Sequence, residues 1–254
     1  MASCLGSRSS ENTGEIVAFA SYFERGLVLP CSNFFSGILY YYEIQLHHLT
    51  PNSFVHLSIF VHLWEAFLGI EPHFELFRHL FHLKLQPNSI KLDVVGGAGV
   101  QLRQGIDKVY IPYKLSSKVI DWKPKWLYIE NHGNTLPVIT LGPLIQRLEW
   151  NKKPVGDSQI PDLLEWIANL KQKQIIGEAG IFDWMKRRIQ PLQAREIFGF
   201  QYQGTSDSSQ YLEKEISNGE ILSWAQRLLK KVEHVPIILD TFSASNPPRQ
   251  VQTK

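Results

Sequence analysis

Residues 15–85 form an apolar block in which aromatic and leucine side chains recur at helical spacing. A chain with this spacing buries one face of each of several amphipathic helices against the others. Caps, prolines and terminating glycines divide the block into four predicted helices. These are 15–27 (ending near Gly26), 30–46 (capped by Ser32), Thr50–Gly69 (with Pro51 at its first position) and a shorter one from Pro72 through Phe81.

The longest apolar stretch, residues 53–70, has the length of a membrane span but contains His56, Ser58, His62 and Glu65. A lipid-facing helix strongly disfavours such side chains, so the stretch is predicted to be a buried helix of a soluble protein. The N-terminus has no basic segment followed by an apolar one, which is the pattern of a signal peptide. The chain is therefore expected to be intracellular, neither secreted nor transmembrane, with nucleus and cytoplasm both open.

The pattern changes after Pro87. Residues 88–130 alternate and carry turn residues, which predicts short strands, one of them in KWLYIE at 125–130. The stretch VVGGAGVQLRQG at 94–105 lacks the Gly-Lys-Ser/Thr ending of a phosphate loop, so Gly96, Gly97 and Gly99 are predicted to serve a hairpin turn that needs positive φ. Helical spacing returns at 161–175, with Leu164, Ile167, Ala168 and Lys171 on one face, and at 219–235.

These patterns predict an α+β fold dominated by helices, in which an N-terminal helical unit is followed by a small antiparallel sheet and then by C-terminal helices. The predicted organisation has five segments. They are a disordered tail (1–14), the aromatic-rich helical unit (15–86), a short-strand region (87–135), a proline-rich connector with the C-terminal helices (136–240), and a second disordered tail (241–254).

Charge is unevenly distributed along the chain. Residues 1–90 carry 4 basic and 7 acidic side chains, whereas residues 91–254 carry 22 basic and 17 acidic ones. The second part is mildly cationic, well short of the concentrated basic surface of a dedicated nucleic-acid binder. The chain has only two cysteines, Cys4 and Cys31, which excludes a disulfide framework and a cysteine-based zinc site.

No catalytic constellation is apparent in the sequence. Seven of the nine histidines lie between His47 and His82, but neither HExxH nor paired cysteines accompany them. There is no Gly-x-Ser-x-Gly elbow, and the Asp-Thr of LDTFS at 239–243 is followed by Phe242 where an aspartic protease needs glycine. The carboxylates are scattered. We therefore predict no catalytic residue, metal, cofactor or small-molecule substrate.

The stretch MKRRIQPLQAR at 185–195 admits two interpretations. A helix that begins after Gly180 would stop near Gln190, because Pro191 disfavours a helical residue before it, and its basic side chains would stabilise the C-terminal end of the helix dipole. Alternatively, the basic residues contact nucleic-acid phosphates. The candidates for that role are Lys186, Arg187, Arg188 and Arg195.

Four segments together resemble the plant gypsy-type transposon domain. They are 23–81, which includes EAFLGIEPHF, then DWKPKWLYIE at 121–130, RRIQPLQAR at 187–195 and FQYQGTSDSSQ at 200–210. The resemblance extends over about residues 15–235. It implies a gag-like, retrotransposon-derived protein and structural signature residues rather than catalytic ones. Those residues are Gly69, Ile70, Glu71, Pro72 and His73 in a helix-to-helix turn, Trp122 and Trp126 in a strand, and Pro191 within the basic stretch.

The sequence thus predicts a non-enzymatic, gag-like protein that acts in assembly or interaction, with self-association and weak RNA or DNA binding as its expected contacts. Two alternatives stay open. One is a transposase-like enzyme, which would need Asp93, Asp107, Asp121 and Glu130 to converge on a divalent metal. The other is a degenerate element fragment without a selected activity.

Overall fold

The fold was analysed in a computed structural model of the 254-residue chain. It describes residues 14–86, 95–106, 109–111, 113–116, 119–138, 147–173, 177–185 and 217–229. The predicted tails, apart from Gly14, lie outside this part of the chain. The bounds of the predicted domains remain predictions.

The described residues form helices and four short strands, which confirms the predicted α+β class with helices dominant. The strands are β1 (Glu15–Phe19), β2 (Phe81–Leu85), β3 (Ala98–Leu102) and β4 (Trp126–Glu130). The α-helices are α1 (Ala20–Phe23), α2 (Asn33–Tyr42), α3 (Pro51–His62), α4 (Phe74–Leu80), α5 (Ile160–Gln172), α6 (Gly177–Trp184) and α7 (Asn218–Leu228). Short 3₁₀ turns lie at Leu46–His48, His132–Asn134 and Leu148–Trp150, and a π-helical segment, Leu63–Leu68, continues α3.

The caps that define the central helices are largely those expected. The Ser32 hydroxyl accepts a hydrogen bond from the Phe35 amide at 3.2 Å, which satisfies a free donor at the start of α2. Pro51 is the first residue of α3, although the Thr50 hydroxyl bonds the Ser53 hydroxyl at 2.8 Å rather than a backbone amide. Gly69 ends the π-helical continuation with φ of 67°, a left-handed conformation that glycine adopts without strain.

The first predicted helix is wrong over most of its length. Residues Glu15–Phe19 form β1, and only Ala20–Phe23 are helical. β1 pairs antiparallel with β4, with Ile16 opposite Ile129 and Ala18 opposite Leu127. The strand is stabilised by a partner more than a hundred residues away, so its apolar side chains on both faces mimic helical spacing in the local sequence.

The second sheet also joins the N-terminal block to the later strand region. β2 pairs antiparallel with β3, with Leu83 opposite Val100, and Phe81 therefore begins a strand instead of ending a helix. The predicted glycine turn is only partly correct. Gly96 has φ of 72°, whereas Gly97 does not have positive φ and Gly99 lies inside β3.

The C-terminal helices form where their periodicity indicates, with two differences. α5 buries Ile160, Leu163, Ile167 and Leu170, whereas Ala168, on the predicted face, is exposed. α6 begins at Gly177, four residues before the predicted start at Ile181. Inside the described part of the chain, α6 ends at Trp184 and α7 ends at Leu228.

Aromatic rings fill the centre of the molecule. Phe77 stacks on Phe81 with ring centroids 5.0 Å apart, and Phe60 meets Phe77 edge-on at 5.3 Å. These rings come from α3, α4 and β2, so the core joins the helices to the second sheet. Among the described helices, none is both long and apolar enough to cross a bilayer.

Candidate functional site

The predicted nucleic-acid-binding residues Lys186, Arg187, Arg188 and Arg195 lie outside the described residues, as does Pro191. Met185, the residue before them, is buried with 3% of its surface exposed. The basic stretch therefore follows directly on a helix that is anchored in the core.

The signature residues Gly69, Glu71, Pro72 and His73 form the turn between the π-helical segment and α4. His73 caps α4, because its Nδ1 accepts a hydrogen bond from the Leu76 amide at 3.1 Å. The same ring places Nε2 3.1 Å from the Gln159 side-chain oxygen, immediately before α5. In this turn, the histidine supports structure by joining the starts of two helices.

The two signature tryptophans do not share a strand. Trp126 is the first residue of β4, but Trp122 precedes the strand and packs edge-on against Phe19 with centroids 4.8 Å apart. A Cβ at Gly96 would lie 2.7 Å from the Trp122 ring, so this close approach requires glycine. Trp122 therefore belongs to the core, whereas Trp126 is 47% exposed.

The outer side of β4 is the main apolar surface that the sequence analysis missed. Trp126, Leu127 and Tyr128 are 47%, 40% and 56% exposed, and the Trp126 and Tyr128 rings meet edge-on at 5.2 Å. The run looks like a buried strand in the sequence because apolar residues occupy both faces. The flanking Lys125 and Glu130, both exposed, are the only local signal that it lies at the surface.

The backbone groups on one side of β4 have no partner within the described part of the chain. The Asn131 amide donates to the Gly14 carbonyl and the Lys125 carbonyl accepts from the Ala20 amide, so the odd-numbered residues bond to β1. Because bonding groups alternate along a strand, those of Trp126, Tyr128 and Glu130 point away from β1. No described residue bonds to them there. We call this side of the strand, residues 126–130, the β4 edge.

A buried polar pair joins α3 to α6. The His62 Nε2 lies 2.8 Å from the Asp183 Oδ2, and their side chains are only 1% and 4% exposed. The sequence drew attention to the histidine but gave no sign of its partner, which lies 121 residues further on.

The remaining clustered histidines show environments typical of packed side chains. Burial lowers the pKa of His47 to about 4, and burial together with the neighbouring His47 lowers the pKa of His48 to about 4. Burial likewise lowers the pKa of His56 to about 4, and its Nδ1 lies 2.8 Å from the Tyr113 hydroxyl.

Two of the four carboxylates that a transposase-like enzyme would need lie among the described residues. Asp93 and Asp107 lie outside the described residues, whereas Asp121 and Glu130 are exposed at opposite ends of the β4 segment. In the part of the chain that can be described, no three histidine, cysteine, aspartate or glutamate side chains are grouped so as to hold a metal ion.

Comparison with known proteins gives one match. Residues 16–90 match the model of a family described as "Putative gypsy type transposon". The match contains the Gly69–His73 turn, but Trp122, Trp126 and the basic stretch lie beyond it. Searches of curated proteins and of solved structures each found no match. The part of the chain from β1 through β2 is thus similar to a gypsy-type transposon domain.

Proposed function

We propose that this chain is a non-enzymatic, gag-like protein derived from a gypsy-type retrotransposon, and that it self-associates through the β4 edge. The β4 edge is the observation that supports the proposal most directly. It combines backbone groups that pair with no described residue and the exposed side chains of Trp126, Leu127 and Tyr128. An exposed apolar edge strand of this kind is a template for pairing with another strand.

A second copy of the chain is the occupant that the β4 edge fits best. Antiparallel pairing about a two-fold axis at Leu127 would set Trp126 opposite Tyr128 of the second copy, twice. Aromatic pairs directly across two strands stabilise a sheet by roughly 0.2–1 kcal/mol each. The outward backbone groups of Trp126 and Tyr128 would then hydrogen-bond across the axis, and β1 and β4 of both copies would make one four-stranded sheet.

The charges beside the β4 edge favour a protein partner over a nucleic acid at this place. Glu15 and Glu130 are opposite each other in the β1–β4 register, so two carboxylates lie at one end of the sheet. Phosphates would be repelled there. In this proposal, weak contact with RNA or DNA is made elsewhere, by Lys186, Arg187, Arg188 and Arg195.

The proposal is tested by measuring solution mass over a range of concentrations with light scattering. The wild-type chain should gain mass toward a dimer as concentration rises. Tyr128→Pro removes an outward amide without touching the bonds to β1, and Tyr128→Lys brings two positive charges near the two-fold axis. Both variants should remain monomeric.

Val155→Lys is the matched control, because Val155 is 94% exposed and lies outside the β4 edge. This variant should associate like the wild type, and circular dichroism should show that all variants are folded. A wild-type chain that stays monomeric throughout, or Tyr128 variants that associate as well as the wild type, would contradict the proposal.

A further inference from the structure

An open pocket of about 460 Å³ lies where β2 and β3 meet the loop before α5. Its volume is in the range of small-molecule sites, roughly 300–1,000 Å³. The lining residues are His82, Arg103, Gln104, Ile106, Asn151 and Lys153. Two of these are cationic, two carry side-chain amides, and none carries a carboxylate.

Arg103 is held rigidly at this pocket by three backbone carbonyls. Its Nε donates to the Arg78 carbonyl at 2.9 Å, and its two terminal nitrogens donate to Asn151 at 2.8 Å and Lys152 at 3.2 Å. These carbonyls fix the position of the guanidinium without neutralising its charge. Three of its five N–H groups are used, and the other two have no hydrogen-bond partner among the described residues.

Among the described residues, no carboxylate lies within ion-pair distance of Arg103, Lys153 or Lys84. These positive charges also affect the pKa of two nearby imidazoles. Burial, then Lys153 and Arg103, lower the pKa of His79, and burial, then Arg103 and Lys84, lower the pKa of His82.

We propose that this pocket binds the phosphate group of a phosphate-bearing ligand. The fixed guanidinium of Arg103 and the mobile ammonium of Lys153 supply the charge, and the amides of Gln104 and Asn151 can donate further hydrogen bonds to phosphate oxygens. A metal cation would be repelled by the same charges. This site is separate from the β4 edge and does not depend on self-association.

The first experiment titrates pyrophosphate into the full chain by calorimetry at low salt. We expect saturable binding with one site per chain. Lys153→Gln should weaken it by about tenfold, the factor that corresponds to roughly 1.4 kcal/mol, and Lys153→Arg should retain it. Lys153 is exposed, and its side chain makes no hydrogen bond to a described residue that either variant would lose. Lys173→Gln removes an equal charge from an exposed position outside the pocket and should leave the affinity unchanged.

A second measurement reports on the pocket itself. The ring resonances of His82 should shift on adding pyrophosphate, and the pKa of His82 should rise because the bound anion offsets the charges of Arg103 and Lys84. Absence of binding, equal weakening by Lys153→Gln and Lys173→Gln, or binding that leaves the His82 resonances unmoved would overturn the proposal.

The phosphate group could belong to a nucleic-acid backbone or to a free phosphate compound, and a short single-stranded RNA distinguishes the two. If the ligand is a nucleic-acid backbone, RNA should displace pyrophosphate, and Lys153→Gln should weaken RNA binding as well. If it is a free phosphate compound, pyrophosphate should bind without competition from RNA. Either result supports a phosphate site. The proposal would be overturned if the chain took up no pyrophosphate and if neither pyrophosphate nor Lys153→Gln changed RNA binding.

The Tyr128→Lys variant should bind pyrophosphate like the wild type, which separates this test from that of self-association.

Discussion

At the scale of single residues, His62 is the histidine whose surroundings most restrict replacement. It lies 2.8 Å from Asp183 in a place that water does not reach, and this contact joins α3 to α6. Removing one partner of a buried pair takes a hydrogen bond from the other in a place where water cannot replace it. The contact therefore joins an N-terminal helix, α3, to a C-terminal one, α6.

We expect His62→Ala to lower the free energy of unfolding by about 3–5 kcal/mol, since Asp183 would remain buried without its imidazole partner. Urea denaturation followed by circular dichroism measures this change. His132→Ala is the control, because the His132 side chain is 82% exposed and its replacement should change stability by less than about 0.5 kcal/mol. Equal effects of the two substitutions would show that the buried contact adds no stability.

His56 makes the stability of the chain depend on pH in a predictable direction. Burial lowers its pKa to about 4 in the folded chain, whereas an unfolded chain has a histidine pKa of about 6.5. Above pH 6.5 the ring is neutral in both states. As the pH falls from 6.5 to 4, only the unfolded chain gains the proton, so folding stability is lost across that window.

His56→Gln removes this titration while keeping a polar side chain near the Tyr113 hydroxyl. Over pH 6.5 to 4, the unfolding free energy of the wild type should fall more steeply than that of the variant, by up to about 1.4 kcal/mol per pH unit. Urea denaturation at several pH values measures the difference. An unchanged slope in His56→Gln would contradict the assignment.

At the scale of elements, the sequence predicts what local chemistry determines. The Ser32 cap, the Pro51 start and the Gly69 end were identified because each acts on the backbone within a few residues. β1 was missed because its pairing partner comes from residues 126–130, and a strand that is apolar on both faces has no alternation to reveal it.

The candidate sites, too, depend on contacts between distant parts of the chain. The β4 edge depends on which side of a strand receives no neighbour, and the basic pocket depends on Arg103 meeting Asn151 and Lys152 from a distant loop. Neither property is encoded in spacing along the chain. Sequence reasoning could identify Trp126 as a marker residue, but its exposure follows only from tertiary packing.

The α5 helix shows an intermediate case, in which the element was predicted but its orientation was not. Leu164 and Ile167 fit the predicted face, yet the helix buries the neighbouring row that contains Leu163 and Leu170. The two rows differ by a rotation of about 100°, one residue along the helix. Apolar side chains at both Leu163 and Leu164 make the rotation ambiguous until the surface of α4, which α5 contacts, is known.

At the scale of the whole molecule, cationic side chains concentrate after residue 90, where 22 basic residues outnumber 17 acidic ones. Two parts of this region are candidates for polyanion contact. One is the pocket around Arg103, and the other is the stretch that contains Lys186, Arg187, Arg188 and Arg195. The basic stretch also follows a helix, so its charges have a structural alternative, the stabilisation of a helix end.

The salt dependence of RNA binding separates these two roles of the basic stretch. If Arg187 and Arg188 contact phosphates, replacing both with alanine should reduce the slope of log affinity against log salt by about 1.4, since each contact with a single strand contributes about 0.7. Fluorescence anisotropy with a labelled single-stranded RNA measures this slope. Lys114→Ala with Lys173→Ala removes the same charge from exposed positions elsewhere and should leave the slope intact. An unchanged slope in the arginine variant, with a lower unfolding free energy, would assign the pair to the helix end and leave the Arg103 pocket as the candidate polyanion contact.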